Sequence, residues 1–158
     1  MKIKDIAKIV NGSTPSTSNQ NFWGGTIPWI TPKDLSNLKS RFVSRGERNI
    51  TRSGYDSCST TLVPKNTVLL TSRAPIGYLA IAANPICTNQ GFKSIVCSSD
   101  VLPLYMYYYL LTKVELLKSI SSGSTFKELS KEQLESIEIP LPPLLEQQHI
   151  VDTSMNQR

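Results

Sequence analysis

Proline and glycine occur so often along this chain that most of its strands and helices must be short. Ten Pro and eight Gly separate short apolar stretches along the 158 residues. Six of these stretches are predicted to be strands, because they are bounded by turn residues and mostly rich in β-branched or aromatic side chains. They are Lys8–Val10, Ile27–Ile30, Thr67–Leu70, Tyr78–Ala82, Phe92–Val96 and Ser136–Ile139. The sequence therefore favours one domain of mixed α/β (α+β) class over a helical bundle, with a twisted sheet and flanking helices.

Capping signals predict short helices between the strands. Thr31 offers a hydroxyl that can cap a helix whose first residue is Pro32, a position where proline is favoured. The segment Ser130–Gln133 fits the capping-box pattern and predicts about two helical turns through Leu134. A further short helical turn is expected at Thr51–Ser57.

Two longer helices are predicted in the last third of the chain. Apolar residues recur at three- and four-residue steps over Pro103–Ile120, which predicts one helix capped by Ser99 or Asp100. The last helix is expected over Leu144–Val151, with an apolar face that nothing later in the chain covers. The residues expected to form this interface are Leu144, Leu145, Ile150 and Val151.

The charge pattern favours a polyanionic partner. Seventeen Lys and Arg against twelve Asp and Glu give a net charge of +5. Five cations fall in one fourteen-residue stretch in which Glu47 is the single acid: Lys39, Arg41, Arg45, Arg48 and Arg52. Such an edge can neutralise several phosphates, although an ordinary solvated surface explains this run equally well.

Three polar segments are suited to hydrogen bonding with DNA: Gly12–Asn21, Thr71–Gly77 and Thr88–Gly91. Arginine can bond guanine in a bidentate manner, and Asn or Gln can do so with adenine, although ordinary turn chemistry also explains such segments. The Trp side chains near Phe22–Gly25 and at Trp29 are interpreted as packing groups. The candidate DNA-contacting residues are Thr17, Ser18, Asn19, Lys33, Arg41, Arg45, Arg48, Arg73, Asn89 and Gln90.

No catalytic, metal or membrane signature is found in the sequence. Motifs of the GxGxxG, GxxxxGK[ST], HExxH and GxSxG types are missing, and the only histidine, His149, has no evident nucleophile to activate. Three cysteines without CxxC spacing favour neither a disulfide scaffold nor a zinc site. The apolar stretches fall far short of the roughly 20 residues that span a bilayer. We therefore expect a cytoplasmic protein with no catalytic residue, no metal and no membrane partner.

Six segments, taken in order along almost the whole chain, resemble one known family. They are Ile6–Ser16, Phe22–Leu35, Leu70–Gly77, Thr88–Lys93, Gly123–Ser130 and Ile137–Val151. Together they resemble one target-recognition domain of the specificity (HsdS) subunit of type I restriction–modification systems. The resemblance implies a recognition domain over residues 1–142 and the beginning of a spacer helix over residues 143–158.

The resemblance also implies a function and partners. In that family two recognition domains read the two halves of an interrupted DNA site. Separate modification subunits bind S-adenosylmethionine and methylate adenine, and restriction subunits join the complex, so no cofactor is expected on this chain. One recognition domain instead of two implies a half-subunit, a natural truncation or a trimmed chain.

Three functional hypotheses follow from the sequence. The leading one is a non-catalytic module that recognises a specific sequence in double-stranded DNA. The second is an assembly fragment with little DNA affinity of its own, whose last helix pairs weakly with a second copy or with a methyltransferase subunit. The third, a small enzyme acting on nucleic acid, is disfavoured because no catalytic constellation is present.

Overall fold

The computed structural model describes residues 1–123 and 125–156. Ser124 of the Gly123–Ser130 segment and the last two residues of the expected spacer helix lie outside the described residues. The strands are β1 (Ala7–Asn11), β2 (Trp23–Ile27), β3 (Trp29–Ile30), β4 (Phe42–Val43), β5 (Val68–Ser72), β6 (Ile76–Ala82), β7 (Cys87–Thr88) and β8 (Phe92–Cys97). The α-helices are α1 (Ile3–Ile6), α2 (Pro32–Ser36), α3 (Arg52–Asp56), α4 (Pro103–Leu111), α5 (Val114–Ile120), α6 (Lys131–Glu135) and α7 (Leu144–Asn156), and Gln20–Phe22 forms a 3-10 helix.

A five-stranded sheet in the order β1-β8-β5-β6-β4 forms the centre of the fold. Its first four strands pair antiparallel, and the short edge strand β4 pairs parallel with β6. Strands β3 and β7 form a separate parallel pair. The mixed α/β class predicted from the sequence is confirmed.

Both faces of the sheet are buried. Alternate residues of β5 point to opposite sides, so that Val68 and Leu70 join one core while Leu69 joins the other. The first core also contains Met106 of α4 and Leu117 of α5, and the second lies beneath α2. A strand covered on both faces requires apolar residues at consecutive positions, as Val68–Leu70 shows.

The predicted strands agree with the structure in the sheet and differ from it elsewhere. The prediction for Ser136–Ile139 is wrong, because Glu138 forms only an isolated bridge with Lys2. The predicted strand Ile27–Ile30 is divided between the end of β2 and β3, with Pro28 between them. Proline has no backbone N–H to donate to a ladder, which explains the interruption.

The short helices begin where their capping signals predict. Thr51 Oγ1 accepts from the N–H of Gly54 at 3.1 Å, and Ser130 Oγ accepts from that of Gln133 at 3.0 Å. At the start of α2, the N–H of Thr31 donates to Asp34 Oδ2 at 2.8 Å. Local side-chain chemistry is therefore sufficient to fix these helix starts.

The single helix predicted over Pro103–Ile120 is wrong, because the chain turns at Thr112–Lys113 and continues as α5. The turn redirects α5 onto β6, where Val114 packs against Gly77 and Leu117 is fully buried. The expected cap by Ser99 or Asp100 is also not used. The N–H of Leu102 donates to Gln147 Oε1 of α7 at 2.9 Å instead.

The last helix is longer than predicted and packs on its own domain. Val151 is 1% exposed and belongs to the main core, so the expectation that it forms part of an open face is wrong. Gln147 is fully buried, and its Nε2 donates to the carbonyl oxygens of Asp100 and Pro142, each at 2.9 Å. One side chain therefore joins α7, the start of α4 and the segment before α7.

A buried lysine lies where β8 begins. The Lys93 side chain is 7% exposed, and its Nζ lies 3.8 Å from Glu128 Oε2. The other oxygen of this carboxylate lies 3.5 Å from Nη1 of Arg73. Burial lowers the pKa of Lys93 from its ordinary value, and the Glu128 charge opposes that shift.

No helix among residues 1–123 and 125–156 combines the length and the apolar character needed to cross a membrane.

Replacing Gln147 by Ala is expected to lower the free energy of unfolding by about 2 to 4 kcal/mol, because three backbone groups lose their partner and a cavity replaces a buried side chain. Urea denaturation measures the change. The neighbouring variant Gln148→Ala is the matched control, since the Gln148 side chain is exposed and donates to Asp152 on the same helix. Equal stabilities of the two variants would contradict the role assigned to Gln147.

Replacing Lys93 by Met is expected to raise stability at pH 7 by about 1 kcal/mol or more, because a buried ion pair is often no better than an apolar side chain. A lowered native pKa means that folded Lys93 loses its proton before unfolded Lys93 does. Wild-type stability therefore rises between that pKa and 10.5, and the advantage of Lys93→Met shrinks over the same range. Denaturation at several pH values tests this, with Lys8→Met as the control because the Lys8 side chain on β1 is exposed. A pH-independent advantage would contradict the assignment.

Candidate nucleic-acid interface

Two tryptophans hold the polar segment that follows β1. Trp29 is buried, and its Nε1 donates to the carbonyl of Ser13 at 3.0 Å. Trp23 is half-buried, and its Nε1 donates to the carbonyl of Ser16 at 3.0 Å. The two rings meet edge to face with centroids 5.0 Å apart. The interpretation of these residues as packing groups agrees with the structure, and their polar atoms also fix the course of the exposed loop.

The arginine-rich loop lies against the same tryptophans. The guanidinium carbon of Arg48 lies 3.9 Å from the centroid of the Trp23 ring. Arg45 and Arg48 both line a shallow groove with Gly24 and Asn49. A guanidinium stacked on an aromatic face has fewer rotamers to lose on binding while its edge remains exposed.

A carboxylate and an amide fix the backbone of that loop. Asp34 Oδ1 accepts from the N–H of Glu47 at 3.0 Å, while its Oδ2 caps α2. Asn49 Oδ1 accepts from the N–H of Gly46 at 3.3 Å. A Cβ at Gly46 would lie 2.2 Å from the carbonyl oxygen of Trp29, so the close approach requires glycine.

The turn between β7 and β8 joins the same surface. The N–H of Asn89 donates to the carbonyl of Ile30 at 3.0 Å, and Thr14 Oγ1 donates to Gln90 Oε1. Pro32 packs near Gly91, which places the first turn of α2 beside this turn. Lys33, which follows Pro32 in that helix turn, is exposed, as is Gln90, which precedes Gly91.

The exposed polar residues differ in how free their side chains are. Thr17 and Ser18 are exposed, and the Ser18 hydroxyl lies 3.0 Å from that of Ser16. Asn19 Oδ1 accepts from the N–H of Asn21, and Asn89 Oδ1 accepts from that of Gly91. The two asparagine oxygens thus serve turns, which leaves their amide N–H groups as donors.

The two remaining predicted arginines lie away from the tryptophans. Arg73 follows Ser72, whose N–H donates to the carbonyl of Gly91 at 2.9 Å, so it borders the β7–β8 turn while pairing with Glu128. Arg41 lies at the sheet edge, where its carbonyl accepts from the N–H of Ile81 at 2.8 Å. The Arg41 Nε is buried and has no hydrogen-bond partner within the described part of the chain. The structure does not bring Arg41 together with Arg45 and Arg48.

We name the interface surface by its residues: the loop Ser13–Asn19, Lys33, Arg45–Asn49 and Asn89–Gln90. Its net charge is positive, because its three exposed cations, Lys33, Arg45 and Arg48, outnumber the one acid within it, Glu47. Exposed cations, amides and hydroxyls on a fixed backbone are suited to hold phosphates and base edges.

The arrangement is suited to binding more than to covalent chemistry. Burial raises the pKa of Cys87 to about 11 and that of Cys97 to about 12, so both are neutral thiols near pH 7. His149 is exposed on α7. Across residues 1–123 and 125–156 no three His, Cys, Asp or Glu side chains are grouped as a metal site would require.

Sequence reasoning missed the residues that organise the interface surface. Asp34, Asn49 and Thr14 bond across 13, 20 and 76 positions of sequence, respectively, to Glu47, Trp29 and Gln90. The only sequence signals are the glycines near them, which mark close backbone approaches without identifying the partner.

Comparison with known sequences identifies the family of this chain. The family model for the "Type I restriction modification DNA specificity domain" matches residues 1–153. The chain is 56% identical over 151 residues to the type I restriction enzyme MjaIX specificity subunit of Methanocaldococcus jannaschii, covering 94% of this chain and 35% of that protein. It is 30% identical over 155 residues to the EcoR124I/EcoR124II specificity subunit of Escherichia coli, covering 94% of this chain and 38% of that one.

Solved structures share the fold. The HsdS subunit from Thermoanaerobacter tengcongensis superimposes with a TM-score of 0.77 at 22% identity, over 99% of this chain and 37% of that one. A chain from a study of complex assembly in the type I R-M system gives a TM-score of 0.76 at 26% identity, over 99% and 38%. The chain thus spans somewhat more than a third of the length of the relatives it matches. It belongs to the type I restriction-modification DNA specificity domain family.

Proposed function

We propose that this chain is a non-catalytic module that recognises a specific sequence in double-stranded DNA and directs a type I restriction–modification complex to it. The observation that carries the proposal is the convergence of separate polar and cationic loops on one surface with a fixed backbone. The names of the relatives, all specificity subunits, support it.

Within this proposal the side chains have different tasks. Lys33, Arg45 and Arg48 are exposed cations that contact phosphates, with Arg48 also oriented by the Trp23 ring. Thr17, Ser18, Asn19, Asn89 and Gln90 offer hydroxyl and amide groups to base edges. Phosphate contacts position the duplex, and the amides and hydroxyls discriminate its sequence.

Catalysis is assigned to partner subunits. We infer that modification subunits bind S-adenosylmethionine and methylate adenine, and that restriction subunits join through them. This chain then contributes position and specificity only. Its place of action is the cytoplasm, because a restriction complex acts where cellular DNA is located.

Replacing Lys33, Arg45 or Arg48 by Ala is expected to weaken binding to all duplexes by a similar factor. Each loss of a phosphate contact reduces the slope of log affinity against log salt by about one. Fluorescence anisotropy at several salt concentrations measures both quantities, using the chain alone and with the modification subunit. Lys65→Ala is the control, since Lys65 is exposed and lies next to Asn66, which bonds Ala82 at the opposite end of β6. Unchanged binding by the triple variant would reject the assignment.

Replacing Gln90 by Ala is expected to act differently from the loss of a cation. Loss of a side chain that contacts a base weakens binding by roughly 1–3 kcal/mol on the preferred sequence and by little on other sequences. The preferred sequence is first obtained by selection from random duplex DNA with the modification subunit present. A uniform loss on all duplexes would instead place Gln90 at a phosphate.

The exposed part of α7 is proposed as an assembly surface. Leu145 is 85% exposed, and Leu144 and Ile150 are exposed to lesser degrees. Leu145 and Ile150 lie five positions apart, about 140° around a helix, so they do not form one narrow stripe. This arrangement supports contacts with a modification subunit on more than one side of α7, and only weak pairing with a second copy.

Leu145→Asp or Ile150→Asp is expected to weaken capture of the modification subunit and to remove any self-association. Pull-down and sedimentation at rising concentration measure these effects, and the exposed α7 variant Thr153→Asp is the matched control. Undiminished capture and an unchanged mass distribution would show that α7 serves only its own domain.

A further inference from the structure

The hairpin Ser122–Glu128 carries an aromatic residue that the interface surface does not include. Phe126 is 87% exposed, although single exposed apolar residues are common and need no explanation. Backbone bonds of 3.1 and 2.9 Å between Ser122 and Glu128 close the hairpin. Gly123 has φ +119, and a Cβ there would lie 2.2 Å from the carbonyl of Phe126. The bridge between Ser122 and Glu128 therefore joins the two ends of this segment, and Phe126 lies exposed between them.

Backbone bonds connect this hairpin to the interface surface. The N–H of Leu129 donates to the carbonyl of Ser72 at 2.9 Å. The N–H of Ser72 donates in turn to the carbonyl of Gly91, next to Gln90, at 2.9 Å. The residue after the hairpin and the β7–β8 turn therefore both bond to the backbone of Ser72, one to its carbonyl and the other to its N–H.

An apolar groove with a cationic rim lies beside Phe126. Its volume is about 750 Å³, and Ala74, Pro75 and Ile76 form its apolar lining together with Phe126. The cations of the rim are Arg73, Lys118 and Lys127. Arg73 pairs with Glu128, and Lys118 lies 3.6 Å from the exposed Glu115. Lys127 has no ion-pair partner among the residues that the structure describes, so its charge is available.

We propose that the hairpin is a second DNA-contacting element, in which Phe126 packs on the face of a base while Lys127 and Arg73 contact the adjacent phosphates. This inference rests on the proposed function of the chain as a DNA-binding module. Because Arg73 shares Glu128 with Lys93, a phosphate can replace Glu128 as its partner without leaving Lys93 unpaired.

Charge and shape favour DNA over a protein as the occupant. A stable protein interface buries about 800 Å² on each partner around an apolar centre, whereas a single aromatic side chain projects here beside three cations. DNA-bending proteins insert single apolar side chains of this kind between base steps and surround them with cations. The cost of opening a step depends on its sequence, so such a contact contributes specificity without a hydrogen bond to a base.

The test compares Phe126→Ala and Phe126→Leu with the wild-type chain on the selected duplex, in the presence of the modification subunit. The duplex carries 2-aminopurine at successive positions, since its fluorescence rises when the base loses its stacking partner. Leu62→Ala is the matched control, because Leu62 is 42% exposed and lies in neither surface. Salt dependence is recorded for each variant.

We expect Phe126→Ala to weaken specific binding roughly tenfold, as the loss of an aromatic contact with a base does, and to leave the salt slope unchanged. The 2-aminopurine signal should fall at one position and be partly restored by Leu. Lys127→Ala should reduce the salt slope by about one. Wild-type affinity and fluorescence in both Phe126 variants would overturn the inference and leave the proposed function standing.

Two further outcomes would also overturn it. In the first, Phe126→Ala binds DNA normally and loses capture of the modification subunit, which would show that the groove receives a protein. If the wild-type complex shows no duplex binding while the Phe126 variants fold normally, the proposed function fails and the inference fails with it.

Discussion

Antiparallel pairing in the five-stranded sheet is the constraint on which the rest of the structure depends. It brings together, at one end of the strands, the end of β1, the beginning of β8, the end of β5 and the beginning of β6. Every segment that leaves or enters the sheet there must therefore meet its neighbours. The loop after Asn11, the turn before Phe92 and the turn after Ser72 share one surface for this reason, although they lie far apart in sequence.

Local patterns in the sequence predict much of the sheet and the short helices, because their causes lie within a few residues. A threonine at the start of α3 or a serine at the start of α6 caps its own helix. The division between α4 and α5 is not local in this sense. It follows from the surface of β6, where Gly77 leaves room for Val114, and no periodicity in Pro103–Ile120 contains that information.

In the candidate interface, too, the type of a residue is local information, whereas its position depends on contacts that are distant in sequence. Arg41 and Arg48 belong to one basic run and carry the same charge, and composition cannot separate them. Pairing of β4 with β6 fixes Arg41 at the sheet edge, whereas Asp34 and the Trp23 ring hold the loop that presents Arg48. Charge density thus predicts that a basic surface exists, and tertiary hydrogen bonds decide which cations belong to it.

Buried contacts fix the position of α7 relative to the rest of the domain. Gln147 bonds the backbone at Asp100, Leu102 and Pro142, and Val151 enters the main core. A helix held by buried polar and apolar contacts together has one orientation relative to the sheet, because a polar group leaving such a site would lose all its partners. The orientation of α7 relative to the interface surface is therefore set by the fold. Under the proposed function, any subunit bound to the exposed side of α7 is placed at a fixed distance and angle from the sequence being read.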